Sequence, residues 1–313
     1  MRHPYWYESL KLILMCTREQ QERYANFYTD FAFKKLFGTE VNKNLLISFL
    51  NSLFDGEEVV TDLTYLNAEQ LGSAYFDRKA VFDVYCVNEK GERFVVEMQK
   101  ARQEYFKDRS VFYSTFPIRD YAEKGQWDYR LGKVYCIGIL NFTFNDGADN
   151  DPSLYRHTVM LTEQETKKVF YDKLTFVYFE MPKFVKTEAE LVTMNDKWLY
   201  AMRHLATLFD RPQALQEAVF ERFFEQAEIA RFTPVELSEY EASLKDFRDM
   251  YSVMNTAKNE GFALGKEEGI EQGIEIGISQ GLLNSARLML ANGMAKEQVI
   301  AILKLTDEMA AQL

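Results

Sequence analysis

The chain has 313 residues, 47% hydrophobic and 27% charged, a balance of ordinary globular material that excludes a disordered or collagen-like chain. The formal net charge of −11 excludes a whole-chain basic footprint for nucleic acid, but not a local basic cleft or a metal ion bridging acidic groups to phosphate. Three cysteines, Cys16, Cys86 and Cys136, lie far apart in sequence, which argues against a disulfide framework and predicts a reducing, cytoplasmic setting.

Residues 1–25 are expected to form a leader outside the fold. Its apolar run Leu10–Met15 is followed by TREQQER, not by a small-residue cleavage site, which disfavours a signal peptide and leaves Met15 as a second candidate start. From Asp30 onward Phe33, Phe37, Leu45, Leu46, Phe49, Leu50 and Leu53 recur at helical spacing, with Gly38 as the break. Strands are predicted at 59–69, 76–87 and 92–99, the last two joined by a turn around Asn88–Gly91. A helix is predicted over 103–124. The nearly continuous apolar run 133–144 suits a strand covered on both faces. Two more strands are predicted at 155–161 and 174–181.

After residue 187 the pattern becomes helical, over 188–209, 212–231 and 234–260. This order predicts an α/β core followed by a helical C-terminal region. Glycines 261, 265, 269, 273, 277 and 281 then recur at a step of four. Each costs about 1 kcal/mol against alanine inside a helix. Close approach to a second copy of the helix would offset that cost; a charged tether is the plainer reading. No run reaches the roughly 18 apolar residues of a membrane span. The histidines His3, His157 and His204 offer no zinc spacing.

The residues that can carry chemistry lie on the second and third strands. Asp83 and Glu97 are carboxylates inside apolar runs, where an isolated ionised group is costly to bury. A three-residue loop Glu89-Lys90-Gly91, with Gly91 left-handed, sets Asn88 opposite Glu92 and therefore Asp83 opposite Glu97. Like charges so placed repel unless a cation sits between them. Gln99 points to the same face. A two-residue loop would separate the pair onto opposite faces. The plainer alternative is a solvated hairpin face, with Arg78, Lys79 or Lys100 as partners.

These motifs resemble the recombination-promoting nuclease and transposase (Rpn) family of the PD-(D/E)XK nuclease superfamily. The resemblance rests on Tyr28-Thr29-Asp30-Phe31-Ala32-Phe33-Lys34-Lys35-Leu36-Phe37-Gly38 and on Asp83 followed, after thirteen intervening residues, by Glu97-Met98-Gln99. The helix with Phe106, Arg109 and Tyr113 and the glycine-stepped tail are also similar to the family's.

The resemblance implies a restriction-endonuclease-like mixed sheet flanked by helices in a core over 26–186. A helical region (187–260) and a glycine-stepped arm with a terminal helix (261–313) follow. It implies Asp83 and Glu97 as ligands of Mg²⁺, with Mn²⁺ as a substitute, and DNA as the partner. Gln99 stands where the superfamily usually has lysine. A neutral amide cannot stabilise charge on phosphate, although the Rpn group commonly has glutamine there. Asp30 is either an acidic residue of the site or a helix N-cap. Lys34 is either a phosphate contact or an i,i+4 partner of Asp30. Arg109 and Tyr113, four apart, either line a DNA-binding cleft or pack and snorkel. The expected activity is metal-dependent DNA hydrolysis, promoting recombination or mobile-element movement. The competing reading is a catalytically weak nuclease fold that binds DNA or protein. A homo-oligomer through the C-terminal arm is expected, and no membrane partner.

Overall fold

The computed structural model describes residues 22–54, 60–70, 80–122, 128–144 and 151–313; most of the expected leader lies outside them, as do Arg78 and Lys79. The first amphipathic run folds as α1 (Asp30–Phe37) and α2 (Lys43–Leu53). Thr29, not Asp30, caps α1: its hydroxyl accepts the Ala32 N–H at 3.3 Å. Gly38 closes α1 by donating its N–H to Lys34 O at 2.7 Å.

The strands expected at 59–69 and 76–87 are shorter and broken. Strand β1 is Leu63–Tyr65, β2 is Glu69–Gln70, β3 is Ala80–Val81 and β4 is Val84–Asn88. The break falls at Phe82-Asp83, because the Asp83 carboxylate takes the N–H of Met98 in place of a ladder bond. Strand β5 is Arg93–Gln99, followed by α3 (Phe106–Arg119), β6 (Val134–Leu140), β7 (Arg156–Thr162) and β8 (Val169–Glu180). Helix α4 is Met194–His204 and α5 is Ala218–Ala227. Both are shorter than their amphipathic patterns, which end in the 3-10 turns Leu205–Thr207 and Ile229–Arg231.

The helical region and the glycine-stepped arm, divided at residue 260 in the sequence, share one helix. Helix α6 runs unbroken through Pro234–Ala291, glycines included, and α7 (Lys296–Leu303) and α8 (Asp307–Ala310) follow. The tail expected as one helix divides because Lys304 adopts a left-handed conformation, φ 50°. The chain comprises two compact units, one ending at Phe247 and the other Arg248–Leu313. In the second, Ala286, Val299 and Leu305 form a small core of their own. An added Cβ at any of the six stepped glycines would have no neighbour within 4 Å.

The main sheet has strand order β1-β4-β5-β6-β8-β7. Strands β5, β6 and β8 are mutually parallel, while β1–β4, β4–β5 and β7–β8 are antiparallel. All seven residues of β6 are buried, as its continuous apolar run requires. One face carries Phe94, Val96, Ile137, Ile139, Val177 and Phe179, packed against α1, α2, α4 and α5. Trp198, fully buried, lies among Phe37, Phe49, Phe220 and Phe223. The opposite face carries Val95, Cys136, Leu140, Phe176 and Tyr178 beneath Phe106, Tyr113 and Phe116 of α3. The expected α/β, restriction-endonuclease-like mixed sheet flanked by helices, with a helical C-terminal region, is the observed architecture.

The register aligns Glu97 with Gly138 and Gly138 with Tyr178. A Cβ at Gly138 would stand 2.9 Å from Tyr178 Cδ1, so the missing side chain is what lets that ring lie across β6. Gly138→Ala is expected to lower stability by about 1–3 kcal/mol through overpacking, read as a lower urea midpoint at unchanged slope. An unchanged midpoint would contradict the close contact.

Candidate functional site

The β4–β5 hairpin turns through the expected three-residue loop. Gly91 is left-handed at φ 77°, and the Asn88 N–H donates to Glu92 O at 3.0 Å. The ladder pairs Val87 with Arg93 and Val84 with Val96, which sets Asp83 against Glu97 one step further on. Regular pairing stops there. Each carboxylate instead reaches the other strand's backbone. Asp83 Oδ2 accepts the Met98 N–H at 2.8 Å, and Glu97 Oε1 accepts the Asp83 N–H at 3.3 Å. The second Glu97 oxygen, Oε2, accepts from Gln99 Nε2 at 3.0 Å. Asp83, Glu97 and Gln99 thus form one hydrogen-bonded group.

The electrostatics of the pair are unfavourable without a cation. Burial pushes the Asp83 carboxyl above its ordinary value, opposed by the Met98 N–H; the charge of Asp30 adds to the rise, while Lys34 and Lys100 oppose it. Glu97 is pushed up to about 8, first by burial and then by the charge of Asp83, against the Asp83 N–H, Arg109 and Gln99. Among the described residues neither carboxylate has a cationic side chain within ion-pair distance. Of the candidate partners Arg78, Lys79 and Lys100, Lys100 acts on Asp83 through its charge; β5 ends at Gln99 and the chain bends at Lys100.

The other expected residues surround the pair at different ranges. Asp30 and Lys34 form an i,i+4 ion pair at 3.0 Å, both about half exposed. They act on Asp83 through charge, and no hydrogen bond joins them to the carboxylates among the described residues. Arg109 and Tyr113 face the pair from α3. The Arg109 guanidinium lies 4.8 Å from the Tyr113 ring centre and donates to Gln103 Oε1. With Glu97, Gln99, Ser110, Gly138 and Tyr178 they line a cavity of about 30 Å³, enough for one water-sized group. The cavity is where α3, β5 and the Tyr178 ring converge.

Sequence reading missed Ser110 and Tyr178, whose hydroxyls lie 2.6 Å apart. Tyr178 falls in the strand expected at 174–181 and is buried. The available signal was Gly138, a lone glycine inside the apolar run of β6, which marks close approach by another group.

The donor set suits a small, hard divalent cation. Magnesium is commonly held by one or two carboxylates, with water and substrate phosphate completing its shell. Asp83 and Glu97 are such a pair. Among the described residues, no group of three or more His, Cys, Asp or Glu side chains gathers to hold a metal.

In the metal-free protein the raised Glu97 predicts a definite pH dependence. The folded chain holds this proton to about pH 8, whereas the unfolded chain releases it near the ordinary 4.5. The folded state therefore binds more protons across that window, and stability falls as pH rises through it. Asp83→Asn removes the second cause and should lower the Glu97 pKa and flatten the fall, measured by urea unfolding from pH 4.5 to 8 in EDTA. A fall equally steep in the variant would mean Asp83 does not act on Glu97.

A family model described as PD-(D/E)XK nuclease family transposase matches residues 27–257. No curated protein and no solved structure matches the chain.

Proposed function

The chain belongs to the PD-(D/E)XK nuclease family transposases, and we propose from that membership and the carboxylate geometry that it is a magnesium-dependent endodeoxyribonuclease. The observation that supports this reading best is the half-buried pair Asp83 and Glu97, locked across a hairpin with no cation in ion-pair distance among the described residues. A pair so held is unfavourable alone and favourable around a divalent ion. Manganese has the same ligand preference and substitutes.

A divalent cation bound here would polarise a phosphate oxygen and lower the pKa of water. The chain's own groups do the positioning. The Met98 N–H fixes Asp83, and the Asp83 N–H and Gln99 amide together fix both oxygens of Glu97. Both carboxylates are thereby oriented before substrate arrives, which cuts the cost of assembling the site. Arg109, held over Tyr113, offers a planar donor to a DNA phosphate. Lys34, tethered by Asp30, places a second positive charge near Asp83. Gln99 orients Glu97 and leaves charge stabilisation on the phosphate to Arg109. Its neutrality also favours a second reading, a slow nuclease whose main activity is DNA binding.

The setting is the cytoplasm, in keeping with the buried free thiols Cys86 and Cys136, and the activity serves recombination or movement of mobile DNA. Among the described residues, no helix is long and apolar enough to cross a membrane. The segment of α6 carrying the stepped glycines also exposes Phe262, Ile270, Ile274 and Ile278. This stripe would bury itself against a second copy of the chain, giving a homo-oligomer through the C-terminal arm.

Asp83→Asn and Glu97→Gln are each expected to reduce magnesium-dependent plasmid cleavage by about 100-fold or more, and Gln99→Ala, which removes only an orienting partner, by about 10–100-fold. Cleavage by all three at the parent rate would end the nuclease assignment. Ending the chain after Phe247 should leave cleavage measurable and reduce the particle to a monomer by light scattering. An unchanged mass would place the oligomer contact elsewhere.

A further inference from the structure

A second and larger cavity opens beside the carboxylate site, on the same face of the sheet. Its volume is about 410 Å³, within the usual range for small-molecule sites. Tyr178 is common to both cavities. The register sets His157 of β7 opposite Tyr178, and Tyr178 two strands from Glu97. At normal strand spacing that is about 10 Å from Glu97 to Tyr178. The cavity lies toward the carboxyl ends of the parallel strands, where open α/β sheets commonly receive ligands.

Its walls are aromatic and preformed. Phe144 stands edge-on to Tyr178, with ring centres 5.8 Å apart and planes at 88°, and edge-on to His157 at 5.4 Å. Phe144 is anchored through its backbone: its N–H donates to Glu180 Oε2 at 3.0 Å. Glu180 is fully buried and is balanced by His157 at 2.6 Å and Lys183 at 3.1 Å. Lys107 of α3 lies over Phe144, 5.1 Å from its ring centre. The cavity therefore combines an aromatic wall with the ammonium of Lys107 at Phe144 and with Lys183, which pairs with Glu180; Asp151 lies on its lining as well.

That combination fits one chemical class, a nucleotide with its base against the aromatic wall and its phosphate toward a lysine. We propose that this cavity receives one unpaired nucleotide of the DNA strand, beside the phosphate held at Asp83 and Glu97. The placement rests on the nuclease reading, but base binding here does not need cleavage. A base in this cavity has left the double helix, so the preferred substrate is single-stranded or locally melted DNA.

The test separates base from phosphate. Fluorescence anisotropy compares a labelled 15-mer of thymidylate with an abasic 15-mer of equal charge, both bound by the full chain in EDTA. The thymidylate strand is expected to bind about tenfold tighter, the scale of one stacked base. Leu154→Trp, which adds bulk at an exposed position of the cavity wall, should bring the ratio to one and leave abasic binding unchanged. Phe144→Ala should do the same, with folding checked by circular dichroism. Lys107→Ala should weaken both strands and reduce their salt dependence. Equal binding of the two strands by the parent chain, or a ratio that survives Leu154→Trp, overturns the proposal. Failure of the nuclease reading would show separately, as no cleavage with magnesium while the ratio persists.

Discussion

Two half-buried carboxylates held together across a hairpin are the constraint on which this fold turns. Asp83 and Glu97 repel each other, and burial makes the charged form of each more costly. The hairpin nevertheless fixes them, because each carboxylate satisfies a backbone N–H that the interrupted ladder leaves over. Backbone amides in a low-dielectric site are strong donors to an anion, so the same bonds that end the strand also hold the acids. The pair is a local weakness whose two carboxylates are nevertheless preorganised. Enzymes commonly keep such strain at the point where chemistry happens.

Everything around the pair can be seen as support for it. Strand β5 is central and paired on both sides, which makes it a rigid base for Glu97 and Gln99. The aromatic core on the far face, centred on Trp198, anchors α1 against the sheet and so fixes the distance of Asp30 and Lys34 from Asp83. Helix α3 closes the near face and contributes Arg109. The acidic chain thus places positive charge at a few positions, Lys34, Lys100 and Arg109, close to its two half-buried acids. A local field of this kind does not require a basic surface overall.

Much of this was legible in the residues. The loop Glu89-Lys90-Gly91 has one glycine in the place where a left-handed residue is needed, and from that the register and the facing of Asp83 and Glu97 follow. The uniform apolar composition of β6 announced a strand covered on both faces. The break at Asp83 was not legible, because propensity continues across Phe82-Asp83 and only the tertiary bond to Met98 interrupts it. The role of Tyr178 was hidden for a related reason. An aromatic residue in an apolar run looks the same whether it fills a core or walls a cavity, and only its alignment with Gly138 separates the two. The helical character of the glycine segment was legible, but not that it continues the preceding helix without a break as α6.

The order of strands across the sheet has a consequence for how the protein is made. The hairpin bearing both acids is local and can close as soon as Gln99 has left the ribosome. The ring that walls the pocket belongs to β8, and it joins β6 only through long-range pairing, the slow kind of contact in folding. A nascent chain therefore carries its acidic pair for some time before it has a finished pocket. On the proposed nuclease reading, DNA meets a complete site only once translation has passed Glu180.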